Sequence, residues 1–266
     1  MGFNGHVCAG HDPRQLKRPN RTPTSSSLAR MKHNVTEADL ARLTAALENL
    51  RPQIKPSQDP VWSMAIPFRV VDCVLSLGLR YDSVVAPRVQ TFQRAHPDLT
   101  TLAQLQALIQ RHPTPALFLA AELRPRNAGR AETLARVVEF LLSIAKGTAE
   151  DEQAASLRRW AEQAGPHEHR ALGIRGFALV GFQYLRMLLG ASTIKPDRHL
   201  QGFVAGAVGQ SVTAEDALHL MEKACAALGL SPKDLDTSIW EMKARSQKPQ
   251  ARRTCPHGHY GPGRAR

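Results

Sequence analysis

The stretch that decides the fold runs from Leu172 to Phe203 and reads LGIRGFALVGFQYLRMLLGASTIKPDRHLQGF. It opens with a glycine-punctuated turn, Gly173–Gly181, and glycine lets a chain reverse tightly between two helices. An apolar helix is predicted over Phe182–Leu189, and the loop Ala191–Pro196 then delivers Asp197 to the start of another helix. This order of turn, apolar helix and loop predicts a helical hairpin, then a buried helix, then a carboxylate at the N-terminus of the next helix.

The chain on both sides of this stretch has helical periodicity. Leu40, Leu43, Leu47 and Leu50 recur at steps of three and four, and no alternating strand pattern occurs. We predict further helices over residues 67–79, 102–110, 115–122, 130–146, 151–164, 199–208, 214–228 and 232–242, and a helix that begins at Asp82 as its N-cap. Capping patterns begin several of them at Thr36 with Asp39, Thr100 or Thr101, Thr213 with Asp216, and Ser231 with Asp234. The sequence therefore predicts an all-α body over residues 34–242.

The formal charge of +12 lies in the two ends of the chain. Residues 1–33 carry +5, residues 243–266 carry +7, and the body between them has as many acidic as basic side chains. Both ends are rich in Pro, Gly, Ser and Arg, so we predict two flexible basic tails. Such tails attract phosphate without regard to base sequence, or they serve only to keep the protein in solution.

Composition excludes several classes of protein. No run of eighteen apolar residues occurs, and the N-terminus lacks the apolar core of a secretion signal. The four cysteines, Cys8, Cys73, Cys225 and Cys255, have no metal or redox spacing, and a Cys255, His257 and His259 trio in a tail is too sparse for a metal site. We therefore expect a cytoplasmic, bacterial-type protein associated with the nucleoid, without membrane, metal or cofactor.

Four motifs follow one another along the chain. They are Val74–Val85 (VLSLGLRYDSVV), Arg126–Leu134 (RNAGRAETL), the hairpin with Asp197, and Asp234–Trp240 (DLDTSIW). In this order the chain resembles the helix-hairpin-helix DNA glycosylase superfamily, which includes endonuclease III and the alkylated-base glycosylases. The resemblance covers residues 60–242 and implies a two-lobed helical fold with a base pocket between the lobes. It also implies a monomer that binds double-stranded DNA containing a damaged or modified base.

The resemblance assigns roles to individual residues. Asp197 is the catalytic carboxylate, and Arg80 and Tyr81 are candidates for the base pocket. The hairpin and its surroundings contact the DNA backbone through Gly173, Arg175, Gly176, Ala178, Val180, Gly181, Lys195 and His199. In such a hairpin, backbone N–H groups at the following helix N-terminus face a phosphate.

Three departures from the family pattern matter for the chemistry. Ala178 replaces the second hairpin glycine, and Leu179 or Val180 stands where bifunctional members carry a lysine nucleophile. The closely spaced C-terminal cysteines that hold an iron–sulfur cluster in some members are also absent. The expected enzyme is therefore a monofunctional glycosylase that hydrolyses the N-glycosidic bond without lyase activity.

Each assignment has a plainer alternative. Asp197 can serve only as an N-cap, and the glycines can simply join two packed helices. Tyr81 can belong to the core, and Arg175, Lys195 and His199 can be ordinary solvated or structural side chains. At the level of the whole protein, the alternatives to a glycosylase are a non-catalytic protein that binds DNA structures and a helical protein–protein adaptor.

Overall fold

The computed structural model describes residues 35–58, 60–124 and 127–247. Within these ranges the chain forms twelve α-helices and no β-strand, so the predicted all-α class is confirmed. The helices are α1 (Glu37–Leu50), α2 (Ile66–Leu75), α3 (Ala86–Ala95), α4 (Leu102–Gln110), α5 (Pro115–Glu122), α6 (Ala128–Ile144), α7 (Glu150–Gln163), α8 (His169–Leu172), α9 (Leu179–Leu188), α10 (Arg198–Val208), α11 (Ala214–Leu228) and α12 (Pro232–Gln247). The tail 1–33, Arg126 of the second motif and residues 248–266 of the other tail lie outside the described residues.

The predicted capping patterns begin the helices where the sequence placed them. Thr36 Oγ1 accepts a hydrogen bond from the Asp39 N–H at 3.2 Å, and Asp39 Oδ2 accepts one from the Thr36 N–H at 2.8 Å. Thr101 and Thr213 cap α4 and α11 by the same side-chain contact to the third helical residue. These caps are local, since donor and acceptor lie three residues apart, and a helix N-terminus always leaves N–H groups to be satisfied.

The first of two hydrophobic cores draws on residues 61–191. Helix α2 lies at its centre, with Val70, Val71, Cys73 and Val74 completely buried, as its apolar sequence predicted. Helices α3 to α7 and α9 pack around it, and Phe92 meets Phe68 and Phe118 edge to face. None of the described helices has both the length and the apolarity to cross a membrane.

The second core joins the start of the described chain to its end. Helix α1 packs on α10 and α11, and α12 packs on α10, around a cluster that includes Leu43, Leu47 and Met221. Helix α9 belongs to both cores, because Leu179 at its first turn lies in the second core while Phe182 and Leu185 lie in the first. Side chains at the junction of the two cores are therefore positioned by α9 and by the loop that follows it.

Two predictions about the first core were wrong. The helix predicted over residues 67–79 ends at Leu75, where Arg130 Nη1 of α6 donates to the carbonyls of Val74 and Leu75 at 2.8 and 3.1 Å. Asp82 is not an N-cap, because it lies inside a π-helical turn, Tyr81–Val85, that precedes α3. The N-cap of that turn is Arg80, whose carbonyl accepts from the amides of residues 84 and 85.

Candidate functional site

The glycine-punctuated turn forms an exposed hairpin between α8 and α9. Gly173 ends α8 with φ of 59°, and Gly176 has φ of 79°. Both values belong to the left-handed region, which residues other than glycine rarely adopt. Gly173, Arg175, Gly176 and Ala178 are exposed, whereas Phe177 between them is 2% exposed and packs in the first core. The predicted turn is therefore present, with its backbone on the surface and one aromatic anchor beneath it.

Helix α6 supports the hairpin from inside. Thr133 Oγ1 lies 2.9 Å from the Arg175 carbonyl oxygen and 2.8 Å from the Gly129 carbonyl oxygen, within hydrogen-bond distance of both. A Cβ atom at Gly176 would lie 3.4 Å from the same hydroxyl. The hairpin backbone is thus held at a fixed distance from α6, and the sequence motif that opens α6 contributes to this support.

The hairpin leads into a helix without a side-chain cap. Ala178 occupies the N-cap of α9, and its side chain accepts no hydrogen bond from the first turn. Val180 is partly buried, and Gly181 is buried where a Cβ atom would lie 2.9 Å from Leu77 Cδ2. Gly181 therefore serves close packing, and the DNA contact predicted for it is limited to its backbone.

Asp197 is the N-cap of α10. Its Oδ1 accepts hydrogen bonds from the His199 N–H at 2.8 Å and the Leu200 N–H at 3.1 Å, which confirms the capping role. The side chain is partly buried, and its Oδ2 has no hydrogen-bond partner among the described residues. One oxygen therefore fixes the orientation of the carboxylate, and the other is open in the sense that no described residue donates a hydrogen bond to it.

Lys195 points into the molecule at the junction of the two cores. Its Nζ lies 3.7 Å from the ring centroid of Tyr184, a buried residue of α9. The Tyr184 hydroxyl donates to Asp72 Oδ1 of α2 at 2.7 Å. The predicted phosphate contact of Lys195 stays a prediction, and in the structure its ammonium group lies against the Tyr184 ring.

Asp236 of α12 is the residue that the sequence analysis missed. Its Oδ1 accepts a hydrogen bond from the Lys195 N–H at 3.2 Å, and the Lys195 carbonyl accepts from the Asp197 N–H at 2.8 Å. Burial and the negative charge of Asp197 raise the pKa of Asp236 to about 7, against the opposing effect of Lys195. The DLDTSIW motif contains this aspartate, but the order of residues in the motif does not show which face of α12 meets the loop that contains Lys195.

The two base-pocket candidates differ in their surroundings. Tyr81 is partly buried and meets Trp240 of α12 edge to face, with ring centroids 5.7 Å apart. Arg80 is exposed at the start of the π-helical turn. The structure thus packs Tyr81 against α12, one helical turn from Asp236, and leaves Arg80 on the surface.

A basic depression of about 400 Å³ is lined by residues of α10 and α12. These residues are Arg198, His199 and Gly202 of α10 and Lys243 of α12. The first two residues follow Asp197 directly in the chain, so the depression adjoins the N-terminus that the carboxylate caps. His199, which the sequence analysis proposed as a DNA contact, is part of this basic surface.

A family model described as Domain of unknown function (DUF8548) matches residues 38–244 of the chain. The match includes both hydrophobic cores, the hairpin, Asp197 and Asp236. No curated protein and no solved structure matches the chain.

Proposed function

The chain belongs to the DUF8548 family, and we propose that it is a monofunctional DNA glycosylase that flips a damaged or modified base and hydrolyses its N-glycosidic bond. The observation that carries the proposal is the arrangement around α9. An exposed hairpin precedes this helix, and the loop after it holds a carboxylate with one open oxygen at the junction of two cores. Release of free base from lesion-containing DNA tests it directly.

The hairpin provides the proposed contact with the DNA backbone. Exposed glycines let a phosphate approach the main chain closely, and the N-terminus of α9 presents N–H groups without a competing side-chain cap. Arg175 is exposed between the two left-handed glycines and adds a positive charge there. On the other core, the depression lined by Arg198, His199 and Lys243 offers a second place for a phosphate.

Asp197 supplies the proposed electrostatic contribution to bond cleavage. Departure of a base leaves positive charge on the sugar, in an oxocarbenium-like transition state. A carboxylate that is fixed before the reaction stabilises this charge without having to reorganise. The two backbone N–H bonds to Oδ1 provide that fixation, and the open Oδ2 faces the reacting sugar in the proposed complex.

The second candidate function is DNA-structure binding without catalysis, and the confirmed N-cap role of Asp197 favours it. In that case Asp197 has only a structural task. The adaptor alternative has less support. Among the described residues, Leu117 is the one large apolar side chain that is exposed, whereas protein–protein sites present larger apolar patches.

We expect Arg175→Ala to weaken DNA binding about equally for all sequences and to lower the slope of log affinity against log salt by about 0.9. The reason is the loss of one phosphate contact at the exposed hairpin. A fluorescence titration of a duplex at several salt concentrations measures the slope. Arg94→Ala, which removes an exposed arginine of α3, is the matched control. An unchanged slope in Arg175→Ala would show that the hairpin does not meet the backbone.

We expect no covalent protein–DNA band when the enzyme processes its substrate in the presence of borohydride, and we expect strand cleavage only after alkali. Buried Leu179 and partly buried Val180 occupy the positions next to the hairpin and lack an amine. The ammonium of Lys195 lies over the Tyr184 ring, 3.7 Å from its centroid. A band that disappears in Lys195→Ala would make Lys195 a nucleophile and the enzyme bifunctional.

A further inference from the structure

The carboxylates of Asp197 and Asp236 have similar hydrogen bonds, although the two residues belong to different helices. In each carboxylate, Oδ1 accepts backbone N–H bonds, and Oδ2 has no hydrogen-bond partner among the described residues. Lys195 connects them, since its N–H donates to Asp236 and its carbonyl accepts from the Asp197 N–H. The arrangement presents two fixed carboxylates with two open oxygens at one place.

The surroundings give the two carboxylates different tasks. Asp197 sits at a helix N-terminus and accepts two N–H bonds, which fix the orientation of its carboxylate. Asp236 accepts one N–H bond at 3.2 Å, is partly buried and faces the charge of its neighbour. Two carboxylates in unlike environments are the usual arrangement when one stays charged and the other exchanges a proton.

We propose that Asp236 is the general base of the hydrolysis, a role that rests on the proposed glycosylase function. The C1′–N bond breaks, and its electron pair leaves with the base. Water then adds to C1′, and the proton that this water gives up passes to the Asp236 carboxylate, while Asp197 stabilises the positive sugar. The proton later leaves Asp236 for solvent, and the departed base takes up one proton from solvent.

The protonation of Asp236 suits this task near neutral pH. Its pKa of about 7 means that the carboxylate is ionised in half of the molecules at that pH and holds a captured proton firmly enough to be an effective base. The groups that face it are Asp197 and Lys195, with the Tyr184 ring beneath the lysine. The single-turnover rate is therefore expected to rise with pH and to level off above about pH 7.

The experiment measures single-turnover base release at saturating enzyme between pH 5.5 and 8.5, for the wild type, Asp236→Asn and Asp234→Asn. Asparagine at position 236 keeps an acceptor for the Lys195 N–H but accepts no proton. Asp234→Asn is the matched control, because Asp234 lies on the same helix and accepts a hydrogen bond from the Ser57 N–H outside the site. Thermal unfolding and DNA affinity of each variant show that it is folded and binds.

We expect the single-turnover rate of Asp236→Asn not to rise with pH, and at pH 8 to be lower than that of the wild type by a factor on the order of a hundred. Asp234→Asn should retain the wild-type profile. Histidines also change charge in this range, so His199→Gln is included. Because His199 lines the proposed phosphate surface, this variant is judged only by whether the rise of the rate with pH persists, and not by the size of the rate. A wild-type profile that is flat, or a rise that survives Asp236→Asn, overturns the role of Asp236 alone. Absence of base release by the wild type overturns the proposed function and this role with it.

Discussion

Asp197→Asn is expected to lower single-turnover base release by a hundredfold or more, while the fold and the DNA affinity stay close to those of the wild type. A hundredfold loss corresponds to about 2.7 kcal/mol of transition-state stabilisation, which is typical of a fixed electrostatic group. Asparagine is as good an N-cap as aspartate, so its side-chain oxygen still accepts from the His199 and Leu200 amides. The variant thus removes the charge and keeps the cap.

Three measurements on the purified variant separate the two roles of Asp197. They are the rate of base release, the dissociation constant for the same duplex and the midpoint of thermal unfolding. Asp216→Asn, which alters an aspartate that supports the cap of α11, is the control for a purely structural change. Base release at the wild-type rate by Asp197→Asn would reduce Asp197 to a capping residue and favour the non-catalytic DNA-binding alternative.

Asp236→Asn is expected to stabilise the protein above neutral pH by up to about 4 kcal/mol. The pKa of this group rises from 3.8 to about 7 on folding, so between these values the folded protein keeps a proton that the unfolded chain has released. The stability of the wild type therefore falls as pH rises from about 4 to about 7. Asparagine does not ionise and avoids this loss, while it keeps the hydrogen bond from Lys195.

Urea unfolding of both proteins at several pH values between 4 and 8 tests the sign and the size of this effect. The advantage of Asp236→Asn should be small near pH 4, grow through neutral pH and become constant above about pH 7. Functional residues often lower the stability of the folded state, and the charged carboxylate of Asp236 in its partly buried place is expected to do so. An advantage that does not depend on pH, or a loss of stability at pH 8, would contradict the charged, partly buried environment assigned to Asp236.

Local features of the fold were predictable from the sequence. Caps at Thr36, Thr101 and Thr213 involve partners three residues away, and the pattern of residue types is enough to find them. The stretch that forms α2 is nearly all apolar, which marked it as a buried central helix. The hairpin and the cap at Asp197 were likewise present in one continuous segment, so spacing along the chain was sufficient.

Features that depend on distant segments were not predictable. Asp236 meets Lys195 across 41 positions, and periodicity does not say which face of α12 reaches the aspartate loop. The sequence alone placed Lys195 at the surface, as a phosphate contact or a solvated charge, because it could not show that the ring of Tyr184 lies within reach of the ammonium group. Asp82 failed as a cap because the carbonyl of Arg80 begins the π-helical turn two residues earlier.

The most direct test of the proposed function is base release by the purified full-length protein from duplexes that each contain one altered base. The panel includes alkylated purines, oxidised bases, deaminated bases and hypermodified bases of the kind found in phage DNA. We expect release of a free base from at least one duplex, an intact abasic site as the other product, and loss of both in Asp197→Asn. Tight binding to these duplexes with no release of base from any of them would overturn the proposed glycosylase function and leave a protein that binds DNA without catalysis.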